Sequence, residues 1–446
     1  MKSLLMILTY FPPVGGPPVQ YVLRHLRYLS EFGWKPYVLT LRKNTYFAFD
    51  DSLLDEIPKD VFVRRTSALD YAHIKLLGKP EDRIVTDRRW RPQDTPPKGI
   101  GAIEFFIRRY LLIPDGQIGW LPFAVPAGLE LIRKNNISAI YTRITPFTPS
   151  VIAYLLKMLT GKPLILDFSD EWVTSKDFCL RPRLRQRVEI SLERRVVLFS
   201  DFVIGSGELV TEHLRKRYPE KPESQFVTLP HGFNERDFSG IKSTSPRDRF
   251  VILYAGSLEP YDEPKGFAMT PKYLLEGLSL FLRERPDARL VLRFVGHFPD
   301  FHREKIRRLN LERFVETPGY LPHRNIPQEL MSASLLLLLY FSSTGSPRQL
   351  PGKLFEYIRA GKPVLALMPE ECETARILKR ANLGIFAPPE EPEAIKRSIE
   401  ELYSLWEEGK LDRTPNWEYI YNFEHKKITG KLAQLLDKVS DEYTHR

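Results

Sequence analysis

"SASLLLLLYF", residues 332–341, and "PGKLFEYIRAGKPVLAL", residues 351–367, decide the fold between them. The first is an unbroken leucine run of strand length. The second opens on Pro-Gly, has the look of a short helix, stops at Gly361 and enters Pro-Val-Leu-Ala-Leu. Leu354, Tyr357 and Ile358 recur at helical spacing and predict one buried face. Strand, loop, amphipathic helix and second strand form a parallel step in which the helix covers the sheet. Lys353 and Glu356 fall off the apolar face, at the start of that helix. Such a pair is either a solvated i,i+3 contact worth about 0.2–0.5 kcal/mol or part of a ligand site under the loop "SSTGSPRQLPG".

The alternation extends in both directions. "LLMILTY" leads through Gly15-Gly16 to "VQYVLRHLRYLSEFG", whose Val22, Leu26 and Leu29 share a helical face, and then to "KPYVLTL". "AIYTRI", "TPSVIAYLLKMLTG" and "KPLILDFSD" repeat the pattern, as do "DFVIGSG" and "ELVTEHLRKRY". After the polar stretch "SGIKSTSPRDR", residues 239–249, it restarts with "FVILYAGSL", "PKYLLEGLSLFLRERP", "ARLVLRFVGH" and "FVETPGYL". The expected fold class is α/β, with two doubly wound Rossmann-like domains facing a central cleft. The expected domains are 1–240, with an Arg-, Asp- and Pro-rich insertion over about 66–115, and 241–427. The last helix, "HKKITGKLAQLLDKV", fits against either. Ligands of such sheets bind beyond the carboxyl ends of the strands, which directs attention to the loops and the cleft.

Bulk properties narrow the function. A chain of 446 residues exceeds one hydrophobic core. Its 43% hydrophobic and 27% charged content is that of an ordinary globular protein. Two cysteines, Cys179 and Cys372, exclude a disulfide framework and fit a reducing cytoplasm. No apolar run reaches the length of a membrane span. The N-terminal "MKSLLMILTYFPPVGG" meets Pro12-Pro13 where a cleavage site would lie, and reads as a first buried strand. The net charge of +10 invites an anionic partner, but the basic residues are scattered and no nucleic-acid module occurs, so nucleic acid is not expected. The dense patch is "RPRLRQRVEISLERR", residues 181–195, with six Arg against two Glu. It is either a solvated helix face or a surface for anionic lipid headgroups or a phosphorylated acceptor.

Four loops that follow strands carry chemistry. Gly15 and Gly16 stand before a helix whose free N–H groups suit an anion, although the spacing is not GxGxxG. Gly256 and Ser257 follow a buried strand, and Lys265 precedes a helical run, where it suits a phosphate. In "DFSDEW", Asp167 and Asp170 offer carboxylates for acid–base work, or Asp170 caps a turn. Lys353 suits a diphosphate, and the two oxygens of Glu356 suit two ribose hydroxyls. Histidines are sparse and lack metal spacing, so no metal and no cofactor are expected. A nucleoside diphosphate carrying a sugar would use all four loops.

The chain resembles the GT-B nucleotide-sugar glycosyltransferases of family four, a retaining group active in cell-surface polysaccharide and lipid-linked glycan assembly. The resemblance runs through "YFPPVGGPPVQYVLRHLRYLSEFGWKPYVLT", "LLIPDGQIGW", "YTRITPFTPSVIAYLLKMLTGKPLILDFSDEW", "LPHGFNERDF", "AGSLEPYDEPKG" and "PGKLFEYIRAGKPVLA". It implies sugar transfer from a nucleoside diphosphate to a hydroxyl of a glycan or lipid-linked acceptor. By position, Lys265 is the diphosphate contact and, with Asp170, the catalytic candidate. Gly256 and Ser257 belong to the same donor set. Glu356 takes the ribose, and the backbone near Tyr320 and Leu321 takes the base. Gly345 and Lys353 lie near the phosphates, Leu354 joins the donor-binding set, and Gly15 and Gly16 lie against the sugar or diphosphate. Arg143, Asp167 and Asp170 line the acceptor side. Residues 428–446 form the helix that returns to the N-terminal domain. Three positions depart from the family pattern: Arg348 replaces the first of two glutamates, Ser257 an arginine, and Ser169 the arginine of "DFRD". A cytoplasmic protein, peripheral on the inner membrane face, is the implied setting. Two alternatives are a nucleotide-sugar epimerase of this fold and a catalytically silent partner that binds a glycan or a transferase.

Overall fold

The computed structural model describes residues 1–42, 49–69, 106–174, 176–179, 181–258, 270–339, 347–348 and 350–444. Two compact units divide the chain: Met1–Pro230 with Lys426–Arg446, and His231–His425.

The first unit is built on a parallel sheet of β1 (Lys2–Ile7), β2 (Trp34–Leu41), β3 (Phe62–Thr66), β4 (Ile137–Ile144), β5 (Leu164–Phe168), β6 (Phe202–Gly205) and β7 (Phe226–Thr228). Their spatial order is β3-β2-β1-β4-β5-β6-β7. The connecting helices are α1 (Pro17–Leu29), α2 (Leu121–Lys134), α3 (Thr148–Thr160), α4 (Arg183–Phe199) and α5 (Glu208–Arg217). Proline stands in the first turn of α1, where its missing N–H costs nothing. Asp115, from the loop before α2, accepts the N–H groups of Phe147 at 2.6 Å and Thr148 at 2.9 Å, and so caps α3. Beyond Thr66, the expected insertion shows a π-helical turn over Ile107–Leu111; residues 70–105 lie outside the described residues.

The second unit repeats the plan with β8 (Phe250–Ala255), β9 (Leu290–Val295), β10 (Val315–Gly319), β11 (Leu335–Leu339), β12 (Val364–Leu367) and β13 (Gly384–Ala387). Their order is β10-β9-β8-β11-β12-β13, and every neighbouring pair is parallel. The helices are α6 (Lys272–Glu284), α7 (Asp300–Arg308), α8 (Ile326–Ser332), α9 (Lys353–Ala360), α10 (Glu373–Arg380) and α11 (Pro392–Glu407). The leucine run becomes β11, buried along its whole length between β8 and β12. Helices on both faces explain why it does not alternate with polar residues.

The unit boundary differs from the expected 240/241. The second unit already begins at His231, because the segment after it is tied down within that unit. Phe233 N–H bonds to Phe423 O, and His425 N–H returns to Phe233 O at 2.8 Å. Arg359 grips Glu235, and Lys362 donates to the hydroxyls of Ser243 and Ser245. A polar, turn-rich composition therefore marked a strap on the second unit and not the point of separation.

The last helix, α12 (His425–Thr444), packs within the first unit. Ile428, Leu432 and Leu436 recur at four-residue spacing, are fully buried, and join a cluster with Leu26, Leu29 and Trp34. Burying each stabilises the unit by about 1.5–3 kcal/mol. Lys2 adds ion pairs to Asp437 at 3.0 Å and Asp441 at 2.6 Å.

Candidate functional site

In both sheets the strand order reverses next to the first strand, between β1 and β4 and between β8 and β11. Open parallel sheets bind ligands at the carboxyl ends beside such a reversal. Most of the sequence-derived candidates are attached to one of these two places.

In the second unit, Gly256 follows β8 with φ 147, a conformation that strains residues bearing a side chain. Its N–H bonds to Val295 O at 2.7 Å. Gly296, which follows β9 with φ 132, lies so close that a Cβ there would come 2.3 Å from Gly256 O. Its N–H bonds to Gly319 O at 2.8 Å. Three strand ends are thus tied edge to edge, with bare backbone on top. Under them lies Lys353, the first residue of α9. A Cβ on Gly256 would stand 2.2 Å from the Lys353 Nζ, so the missing side chain is what gives the ammonium its place. The Nζ also lies 3.8 Å from the centre of the Tyr254 ring, a cation–π contact. Loss of water pushes the Lys353 amine down to about 7, and the attraction of Glu356 works the other way.

Glu356, one turn into α9, is mostly buried, and its Oε1 lies 3.0 Å from His323 Nε2. His323 opens a 3-10 turn, His323–Asn325, just beyond β10. The helix carrying Lys353 and Glu356 is fixed by its other face. Leu354, Phe355, Tyr357 and Ile358 are fully buried, and the Tyr357 hydroxyl accepts the Ala255 N–H at 2.9 Å.

The other second-unit candidates divide. Ser257 is exposed, and its carbonyl accepts the Tyr254 hydroxyl at 3.2 Å, beside Gly256. Leu321 is half-buried against the core, and Tyr320 is exposed. Leu354 is a correction. Its side chain is in the core and its N–H is taken by Pro351 O at 3.0 Å, so neither is left for a ligand. Lys265 and Gly345 lie outside the described residues. Arg348 is half-buried on the approach to α9.

In the first unit, Gly16 is the residue before α1, with φ 97, and Gly15 is buried. At the ends of β4 and β5, Arg143 Nη1 donates to Asp167 Oδ2 at 3.0 Å, and Tyr141 donates a short bond to the same oxygen. The Arg143 guanidinium stacks 3.8 Å from the centre of the Tyr21 ring. Burial pulls the guanidinium down, but Asp167 and the two tyrosines outweigh it and hold Arg143 charged. Burial and Arg143 together push His25 down to about 3. Asp167 is 0% exposed, so it anchors Arg143 and does not itself line a surface. Asp170, two residues past β5, is exposed.

Among the described residues, no cluster of three or more His, Cys, Asp or Glu is arranged to hold a metal. Sequence reading missed Tyr254, His323, Gly296 and Gly319. The two glycines were legible, since "FVGH" and "TPGY" repeat the strand-then-glycine step of "YAGS". His323 had no such signal.

Comparisons with known proteins bear on the fold. No curated protein matches the chain in sequence. Over nearly their full lengths, solved structures share its fold. A glycosyltransferase from Rickettsia africae is 15% identical, covering 98% of each chain with a TM-score of 0.63. Sucrose-phosphate synthase from Thermosynechococcus elongatus is 15% identical, covering 98% of this chain and 99% of its own, with a TM-score of 0.61. Anabaena HepE, solved in complex with UDP, is 17% identical, covering 98% of this chain and 100% of its own, with a TM-score of 0.59. The fold is therefore GT-B. Residues 249–404, the segment that carries Gly256, Lys353 and Glu356, match the family model described as glycosyl transferases group 1.

Proposed function

We propose that the protein transfers a sugar from a nucleoside diphosphate to a hydroxyl of a glycan or lipid-linked acceptor, with the donor diphosphate at the carboxyl edge of the second sheet. The observation that carries this reading is Lys353 seated under Gly256 with Glu356 one turn further along the same helix. HepE, a protein of the same fold, was solved with UDP, which supports a nucleotide donor. Backbone N–H groups at the start of α9 and the Lys353 ammonium neutralise charge that grows on the departing diphosphate, and so favour the transition state over the ground state. Lys265 is the second cation of this reading, and no metal is assigned a part. The anomeric configuration is retained by front-face attack, the leaving phosphate taking the proton of the incoming hydroxyl. Asp170, exposed after β5, meets the acceptor, with Arg143 behind it. The assay is transfer from a panel of labelled nucleotide sugars, with and without added glycan or polyprenyl-linked acceptors. Acceptor-dependent product that survives EDTA is expected, and Lys265→Ala should lower turnover at least tenfold. Conversion of the sugar nucleotide without acceptor would mean an epimerase, and binding of no nucleotide a silent partner.

The acceptor on this reading is met at an anionic membrane face, in the cytoplasm. Among the described residues no helix is long and apolar enough to cross a membrane. The support is α4. Its two acids turn inward: Glu189 is 0% and Glu193 2% exposed. Arg181 and Arg185 are spent on Glu189. The outward face of α4 is left with Arg183, Arg187 and Arg195, and with Arg194, which pairs with Glu220 at 2.9 Å, alongside exposed Leu184 and Val188. Basic residues and apolar side chains on one face suit an anionic interface. Co-sedimentation with phosphatidylglycerol vesicles should fall severalfold when these four arginines become Gln. Unchanged sedimentation removes the membrane from the reading.

A further inference from the structure

Resting on the reading of Glu356 as the ribose-binding carboxylate, we infer that His323 is the positioning residue that makes Glu356 selective for ribose over deoxyribose. A glutamate in the first turn of a helix has several rotatable bonds, and its carboxylate plane is undefined until something holds it. A vicinal diol rewards only a carboxylate held in one plane, because both hydroxyls must donate at once. His323 supplies the restraint. Its Nε2 lies 3.0 Å from Glu356 Oε1, and it reaches across from the segment after β10, 33 positions away in sequence.

The histidine is itself fixed. It begins a 3-10 turn closed by Asn325 N–H to Pro322 O at 2.9 Å, and Leu321 beside it packs on the core that holds Leu354 and Phe355. The histidine side chain is 28% exposed and the glutamate 14%. The carboxylate is therefore the more enclosed partner, clamped from outside by the ring. A carboxylate oxygen accepts more than one hydrogen bond, so Oε1 serves the imidazole and a hydroxyl together. The chain thus contains a base-side loop that carries its own sugar-side restraint, linking the 320–323 segment to the helix that bears Lys353.

The test measures affinities for UDP, GDP and ADP, each against its 2′-deoxy counterpart, in the full-length protein. The wild type is expected to prefer the ribose form about tenfold or more, the scale of one hydrogen bond to a charged group. His323→Ala should bring the ratio to about two or below while the affinity for pyrophosphate alone stays within twofold. His323→Gln, which keeps a donor, should restore most of the ratio. Glu356→Gln should abolish the ratio with or without the histidine. A purely structural His323 would weaken ribose and deoxyribose forms by the same factor, and that result, or an unchanged ratio, overturns the inference. If Glu356→Gln leaves the wild-type ratio intact, or none of the three nucleotides binds, the reading of the site falls as well. If Glu356→Gln abolishes the ratio and His323→Ala does not touch it, only the inference about His323 falls.

Discussion

Lys353 is a cation placed where it costs energy to be charged. Removal from water pushes its amine down to about 7, and Glu356 only partly offsets this. In the ligand-free protein it is mostly neutral above pH 7. A diphosphate beside it would restore the proton, so the complex takes up a proton when it forms above that pH. Affinity for nucleoside diphosphate should therefore be flat below pH 7 and fall by up to tenfold per unit above it, until the amine in the complex also titrates. Calorimetry at pH 8 in buffers of different ionisation enthalpy should read close to one proton taken up, and Lys353→Met should read near none. Equal proton counts in the two proteins would separate Lys353 from the diphosphate. Gly256 belongs to the same arrangement, because only a residue without Cβ leaves the ammonium its seat. That dependence was not readable from "YAGS", since nothing in the string says which side chain lies beneath it.

At the scale of an element, α4 shows how composition and placement separate. The sequence offered a basic helix, six Arg against two Glu over residues 181–195. Folding turns both acids and two of the arginines into the interior. Glu189 accepts bonds from Arg181, from Arg185 Nε at 2.6 Å and from Trp172 Nε1 at 3.1 Å, while Arg185 also donates to the carbonyls of Leu112 at 2.9 Å and Pro114 at 3.1 Å. The network thus fastens the loop before α2 to α4. Glu189→Gln would leave buried guanidinium groups uncompensated, which typically costs about 3–5 kcal/mol. The urea midpoint of the first unit should drop accordingly, while nucleotide affinity in folded protein is unchanged. A midpoint within experimental error of the wild type would show that the pairs contribute no net stability. Strands and helices were legible because their periodicity is local. The inward turn of charged side chains was not, because it also depends on distant partners: Trp172 lies 17 positions from Glu189, and Pro114 lies 71 from Arg185.

For the whole molecule, two repeats of one plan were readable from the recurrence of strand, glycine-bearing loop and helix. The destination of α12 was open in the residues themselves, because its apolar stripe fits any exposed groove. It was closed by a specific match: Ile428, Leu432 and Leu436 against Leu26, Leu29 and Trp34. The linker was placed ten residues late, because a polar composition reports solvent and not which unit a strap is tied to. Of the site, the charged pair on α9 was legible, and its supporting parts, Tyr254 and His323, were not. Tyr254 comes from β8 and His323 from the turn after β10, and only the parallel register brings them to the same edge. The central claim is that this edge binds a nucleoside diphosphate through Lys353 and Glu356. Isothermal titration of the wild type with UDP, GDP and ADP, beside Lys353→Ala and Glu356→Ala, tests it directly. At least one nucleotide should bind, and each substitution should weaken it tenfold or more with the melting temperature preserved. Wild-type affinity in both variants would contradict the account.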